Sequence, residues 1–382
     1  MIASLTAERV RGDVEVLSRA GLGIDDFLSE AVTAVRRAVP WVGACVGTHD
    51  PASLMLTSAR KYGSLVANHD HDMLWGTLEY GAAESTSFRS LAFENVRAVS
   101  MLQLPREVIA SSPRMNRLMR PVYGFADEAR LVFRDSAGVW GCLAVFRGGA
   151  ARFSDDDVDF LGSLSESFAR GVRGGILTRL GAGTGEDLSN NGPAVVMVDS
   201  AGEISQISRG AEALLRTLAT TVHDGDPRGL VIGLAAAARR AGDTSGAPLP
   251  RARVRTPSGH WLVLHASPMD CRDGATGDVV VTIEEARPPE IVALVVAAFG
   301  LTQRERDVTR MVLQGCDTKE IAAALHLSGY TVQDHLKSVF AKAGVRSRRE
   351  LIARIYFDQY VPRMGAETMP NGFFAPAVEA AP

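Results

Sequence analysis

Cysteine is scarce in this chain of 382 residues: Cys45, Cys142, Cys271 and Cys316 stand far apart and form no CxxC pair. That argues against a disulfide framework or a thiolate zinc site and fits reduced core thiols in a cytosolic protein. Long apolar runs are missing too. The longest, IVALVVAAFGL at 291–301, is about half of the ~20 residues a membrane-spanning helix requires. The opening MIASLTAERVRGD lacks the apolar stretch and small-residue cleavage site of a signal peptide. A cytoplasmic protein without a membrane partner is therefore expected. No excess of one charge is present: a net −3 excludes a wholly basic nucleic-acid coat but leaves room for a local basic face. Catalytic signatures are absent as well, with no Walker loop, GxSxG, HExxH or strand-led GxGxxG. Neither an enzyme nor a cofactor is expected.

What is present divides into three regions. With 46% hydrophobic and 22% charged residues, the chain can bury sizeable cores, and its length suits two or three domains of roughly 150 residues. The region 20–180 starts with a helix pattern (Phe27, Leu28, Val32, Val35, Val39) ended by Pro40, then a strand at 41–47. Leu131–Phe133 and Trp140–Phe146 are β-rich runs around an Asp-Ser-Ala-Gly turn, which predicts a hairpin. Ser154 followed three residues later by Asp157 opens a helix whose Val158, Leu161, Leu164 and Phe168 share a face. A Gly/Asn/Ser/Pro linker follows at 180–193. The region 190–286 reads strand, helix and then two more strands, HWLVLHAS and DVVVTIEEA, a small α+β domain. RPPE at 287–290 is a stiff break before a short apolar helix. The tail 363–382 lacks periodicity and is expected to be disordered.

The region 297–362 is all-helical, and helix starts are written into it. Thr302 precedes Glu305, Asp317 precedes Glu320, Ser328 precedes Thr331 and Ser347 precedes Glu350, each by three residues. An oxygen at each first position can accept from an otherwise orphan helix amide. Gly300, Gly315 and Gly344 stand where helices should end. Helices are predicted at 303–314, 318–325, 329–343 and 348–357, each with one apolar stripe. Only His326-Leu327-Ser328 separates the second from the third, the connection of a helix-turn-helix. If Val332, Leu336 and Val339 point inward, then Thr331, Gln333, Asp334, Lys337, Ser338 and Lys342 point largely outward. These side chains hydrogen-bond base edges and phosphates, so double-stranded DNA is the expected partner.

LTQRE (301–305) and GCDTKEIAAALHLSGYTVQDHLKSVFAKAGVRSRREL (315–351) resemble the LuxR/FixJ-type helix-turn-helix family. The resemblance implies base reading by Gln333, Asp334 and Lys337. It implies phosphate proximity for Thr318, Lys319, Tyr330, Thr331 and Lys342, and the helix-start Ser328 joins this set with Ser338. Three residues depart from the family pattern: acidic Asp334, Gly329 at a helix start, and Ala343 where a leucine is usual. VWGCLAVFR with FSDDDVDFLGSLSESFARGV resembles a GAF domain, and VVMVDSAGEI with HWLVLHASPM is similar to a PAS domain. The fold expected is thus multidomain: two α+β sensor domains followed by an all-α four-helix LuxR-type unit. A regulated transcription factor is implied, with a small-molecule effector on the sensors and RNA polymerase as a further partner. The alternative is a sensor scaffold acting through protein contacts alone.

Two expectations concern particular groups. His69 and His71 in NHDHD lack a companion cysteine and read as a polar loop rather than a metal site. A homodimer is expected, because one recognition helix covers only a few base pairs. The stripe Ile291, Leu294, Val295 and Ala298 offers one surface for it.

Overall fold

The computed structural model describes residues 2–178, 194–221, 226–242, 249–256, 259–269 and 277–356. The expected linker 180–193 and the tail 363–382 lie outside the described residues. The first unit begins with α1 (Ile2–Leu17) and α2 (Ile24–Ala38), then β1 (Gly43–His49) and β2 (Leu56–Gly63). After α3 (Asp72–Gly81), α4 (Phe88–Phe93), β3 (Ala98–Ser100) and α5 (Arg106–Ser111) come the long strands β4 (Phe125–Asp135) and β5 (Gly138–Gly148). α6 (Asp155–Ser163) and α7 (Ser165–Leu177) complete it. The five strands form one antiparallel sheet in the order β2-β1-β5-β4-β3.

Successive side chains of a strand point to opposite faces, and here each face has its own core. Ala44, Val46, Leu143 and Val145 join the cluster under α2 and α7, while Val132, Cys142, Ala144 and Phe146 join a second beneath α3 and α4. The predicted hairpin forms, with both strands longer than the β-rich runs indicated. The helix start at Ser154 also forms: its hydroxyl accepts from Asp157 N–H while the Asp157 carboxylate accepts from Ser154 N–H. The expected single helix is two, however, broken at Leu164, so that Phe168 lies on α7. α1, which the sequence reading left unassigned, packs on α2 and α7 through Val10 and Val14. On α7, a Cβ at Gly171 would lie 2.1 Å from the Phe27 ring, so only glycine lets α2 approach this closely.

The second unit comprises β6 (Ala194–Val198), β7 (Ile204–Ile207), α8 (Arg209–Thr221), α9 (Pro227–Gly242), β8 (Arg251–Arg255), β9 (Trp261–Pro268) and β10 (Val279–Glu285). Its antiparallel order, β7-β6-β10-β9-β8, repeats that of the first sheet strand for strand: second, first, fifth, fourth, third. α9 is apolar all round and buried from Leu230 to Ala238, as befits a helix enclosed on both sides. It lies between its own sheet and α3 of the first unit. The two units are further joined by a buried ion pair, with Arg253 Nη2 2.5 Å and Nε 2.7 Å from the Asp50 carboxylate.

The third unit is α10 (Pro288–Ala298), α11 (Gln303–Leu313), α12 (Thr318–Leu325), α13 (Gly329–Ala343) and α14 (Arg348–Tyr356). The stripe Ile291, Leu294, Val295 and Ala298 is at most 3% exposed. It packs within the chain, where α10 meets α7 and α14. Arg173 Nη1 donates to Ala298 O at 2.9 Å. The stripe is therefore not free to meet a second copy of the chain.

Candidate nucleic-acid interface

The geometry of this unit starts from its helix ends. Thr302 Oγ1 accepts from Glu305 N–H at 3.3 Å and Glu305 Oε2 accepts from Thr302 N–H at 2.7 Å. At α12, Asp317 Oδ1 accepts from Lys319 and Glu320 N–H, and Glu320 answers with 2.7 Å to Asp317 N–H. The Glu320 and Lys319 amides hold the exposed Asp317 carboxyl below the usual carboxylate range. His326 closes α12 in the left-handed conformation at φ +54°, unusual for a residue with a side chain. Ser328 Oγ then accepts from Thr331 N–H at 3.1 Å and starts α13, which Gly344 ends at φ +64°. The fourth start differs from its prediction. Ser347 accepts from Glu350 N–H, but Glu350 reaches back to Arg346 N–H, one residue beyond the helix cap.

Local chemistry thus places α12 and α13 three residues apart, and packing fixes their angle. Ile321, Val332, Leu336, Val339, Ala343, Leu351 and Ile355 are all at most 2% exposed. Ala343 is buried even though it is smaller than the usual leucine.

The polar face divides into three sets. Tyr330 (76% exposed), Gln333, Asp334, Lys337 and Lys319 are open to solvent. Lys337 Nζ lies 3.7 Å from Asp334 Oδ1, a loose contact between two largely exposed groups that contributes little to stability. A second set ties α13 to the starts of α12 and α14. Gln333 Nε2 donates to Thr318 Oγ1 at 3.2 Å, and Arg348 Nη2 donates to the same oxygen at 2.9 Å. Arg348 Nη1 also donates to Cys316 O at 2.7 Å. Thr331 shares a 2.8 Å hydroxyl contact with Ser328.

The third set has a partner that the sequence reading did not name. Half-buried Ser338 and exposed Lys342 both bond to α11: Ser338 Oγ and Lys342 Nζ each lie 2.6 Å from a Glu305 oxygen. The Glu305 side chain is 6% exposed. Burial alone would raise its pKa. Hydrogen bonds from Lys342, Ser338 and the Thr302 amide outweigh that and hold it at about 2. Sequence reasoning gave Glu305 only its capping role and overlooked Arg348. The Ser-Arg-Arg-Glu stretch (347–350) held the cue for Arg348, while nothing local pointed from Glu305 to residues more than thirty positions away.

Two short helices joined by a three-residue turn, the second with an apolar inner stripe and a polar outer face, define a helix-turn-helix unit. Residues 300–355 match the model of the bacterial regulatory proteins, luxR family. The spore germination protein GerE of Bacillus subtilis is 38% identical over 55 residues, which cover 14% of this chain and 74% of that protein. Through this segment the chain belongs to the luxR family. A helix-turn-helix-type transcriptional regulator of Mycobacterium bovis is 50% identical over 53 residues, 14% of this chain. The aligned part spans only 6% of that relative's length. Among solved structures, the phage VqmA–DPO complex aligns over 44% of this chain and 82% of its own, at 15% identity and a TM-score of 0.22. That likeness is too weak to carry an argument. Among the described residues no helix is long and apolar enough to cross a membrane.

Proposed function

We propose that the protein is a sequence-specific, DNA-binding transcriptional regulator whose helix-turn-helix is controlled by the two sheet-containing units. The observation that carries this is the exposed polar face of α13. Gln333 and Lys337 lie one turn apart on a helix whose opposite side is locked by Val332, Leu336 and Val339. Gln333 pairs with adenine N6/N7 and Lys337 with guanine O6/N7, while Lys319, Tyr330 and Thr331 meet the phosphates. Thr318 and Ser328 sit beside them at the two helix starts. Asp334 accepts from cytosine N4 or, on other sequences, repels the backbone. Ser338 and Lys342 are assigned to positioning the helix rather than to touching DNA, because Glu305 already holds both.

The first unit is read as a GAF-like and the second as a PAS-like sensor, with domains at 20–180, 190–286 and 297–362. Two helix-flanked antiparallel sheets of the same strand order support a pair of related α+β modules. The active form is read as a homodimer on two half-sites, with RNA polymerase as a downstream partner.

Fluorescence anisotropy with the full chain tests the reading, using duplexes from the DNA upstream of its own gene and scrambled duplexes of equal composition. One upstream segment should bind at least about 10³-fold more tightly than scrambled DNA, with affinity falling as salt rises. Equal affinity for all duplexes at every salt concentration refutes it.

A further inference from the structure

The face of the first sheet beneath α3 holds a cavity of about 100 Å³. Its walls come from both N-terminal units: Cys45, Cys142 and Ala144 on the sheet, Trp75 on α3, and Leu230 on α9 of the second unit. His49, at the end of β1, also lines it and is 3% exposed. Among the described residues, neither Nδ1 nor Nε2 of His49 has a hydrogen-bond partner. A buried, unpaired polar group is costly. Its ring meets the Phe88 ring edge-on, 6.0 Å between centroids.

The chemistry of the lining restricts what fits. Burial, with repulsion from Arg130, lowers the His49 pKa to about 3, so the imidazole is neutral and offers one donor and one acceptor. Burial pushes the Cys45 thiol up to about 12 and raises Cys142 as well, so both walls are uncharged. Of the charged groups in the lining, Lys61 is matched with Asp72 and Glu79 with Arg130 at 2.6 Å, while the Asp226 carboxylate accepts from the Arg228 amide. An anionic ligand would therefore enter without a free counter-ion, at a large desolvation cost. An apolar cavity of about 150 Å³ accepts benzene, which limits the occupant here to about one ring.

We propose that this cavity binds a small uncharged organic molecule, no larger than one ring, through a hydrogen bond between its hydroxyl or carbonyl group and His49. The proposal rests on the sensor reading of the first unit and adds the ligand class and the route outward. That route is short. A Cβ at Gly76 on α3 would lie 2.5 Å from Gly229 O on α9, so the helices touch backbone to backbone beside the cavity. A ligand pressing on Trp75 and Leu230 acts on both helices at once, and α9 lies against the second sheet.

The test is calorimetric titration of the full-length protein with phenol, benzene and benzoate, followed in parallel by tryptophan fluorescence. Phenol should bind saturably, benzene about three- to tenfold more weakly for want of one hydrogen bond, and benzoate more weakly than either. His49→Leu should abolish the difference between phenol and benzene while raising the melting temperature of the unliganded protein. A histidine with a purely structural role would instead lower it. Ala144→Leu, which fills the cavity, should remove binding of both. Absence of saturable phenol binding, or unchanged phenol affinity in His49→Leu, overturns the proposal. Operator affinity with and without phenol separates the two readings. If phenol binds and DNA affinity does not move, the cavity assignment stands and the sensor reading falls. If phenol fails to bind, the cavity assignment falls and sensing through another site remains open.

Discussion

Glu305 is the position where one substitution should loosen the recognition helix without touching its DNA-facing side. Its carboxylate joins α11 to α13 through Ser338 and Lys342, both at 2.6 Å. In the folded chain its pKa is about 2, against about 4.3 for a free glutamate. A depression of roughly two units corresponds to about 3 kcal/mol of stabilisation by linkage. Because the folded value is the lower one, this stability is fully present above about pH 4.5. It is lost as pH falls from there towards 2. Glu305→Gln keeps the shape and part of the cap at Thr302 but removes the charge that Lys342 faces. At pH 7 the variant should expose α13 amides to hydrogen exchange about 30- to 100-fold faster, equivalent to roughly 2–3 kcal/mol of local stability. The two proteins should converge only as the pH falls through about 2, below which the wild-type carboxylate is protonated in the folded chain as well. Lys342→Met should give a loss of similar size, and the double variant much less than the sum, since the partners share one interaction. A parallel offset between wild type and Glu305→Gln at all pH values, or strict additivity in the double variant, would refute the argument.

Three further outcomes are expected. Gln333→Ala and Lys337→Ala should each cost about 1–3 kcal/mol on the operator and relax preference at one or two base pairs, while Lys319→Ala should weaken all sequences alike and lower the salt slope by about 1; anisotropy on operator and scrambled DNA at several salt concentrations distinguishes them. His326→Gly should stabilise the α12–α13 turn by about 1 kcal/mol, because the left-handed conformation at φ +54° costs a side-chain-bearing residue about that much. Slower exchange of the flanking amides would show it, and faster exchange would mean that the imidazole itself holds the turn. Gly171→Ala should destabilise the first unit by about 1–3 kcal/mol through overpacking, since the new methyl would meet the Phe27 ring at 2.1 Å. Urea unfolding followed by tryptophan fluorescence reports the loss, and an unchanged midpoint would mean that α2 and α7 part at little cost.

The third unit was the most legible because its boundaries are set by groups within four residues of one another. Thr302, Asp317 and Ser328 each cap the helix that follows them in sequence. The predicted spans 318–325 and 329–343 coincide with α12 and α13, and the span 303–314 runs one residue past α11. The span 348–357 agrees with α14 up to residue 356, its last position lying outside the described residues. The stripes that face inward are likewise consequences of a 3.6-residue period. In the first unit the hairpin of β4 and β5 was visible for the same local reason: a short turn between two β-rich runs.

Long-range contacts decided the rest. α9 has apolar residues on every side, so no periodicity marks which side meets a partner, and only the presence of α3 and the second sheet makes it a buried helix. β2 carries Arg60 and Lys61, both less than 10% exposed, and such residues do not read as a strand until their carboxylate partners Asp25 and Asp72 are in place. The stripe on α10 was legible as a hydrophobic surface, but whether it would meet a second copy or the chain itself depended on where α7 and α14 came to lie. Ser338 and Lys342 show the same division. A helical wheel puts them outside the apolar stripe, and it contains no information about Glu305, which comes within hydrogen-bonding distance only when α11 crosses α13.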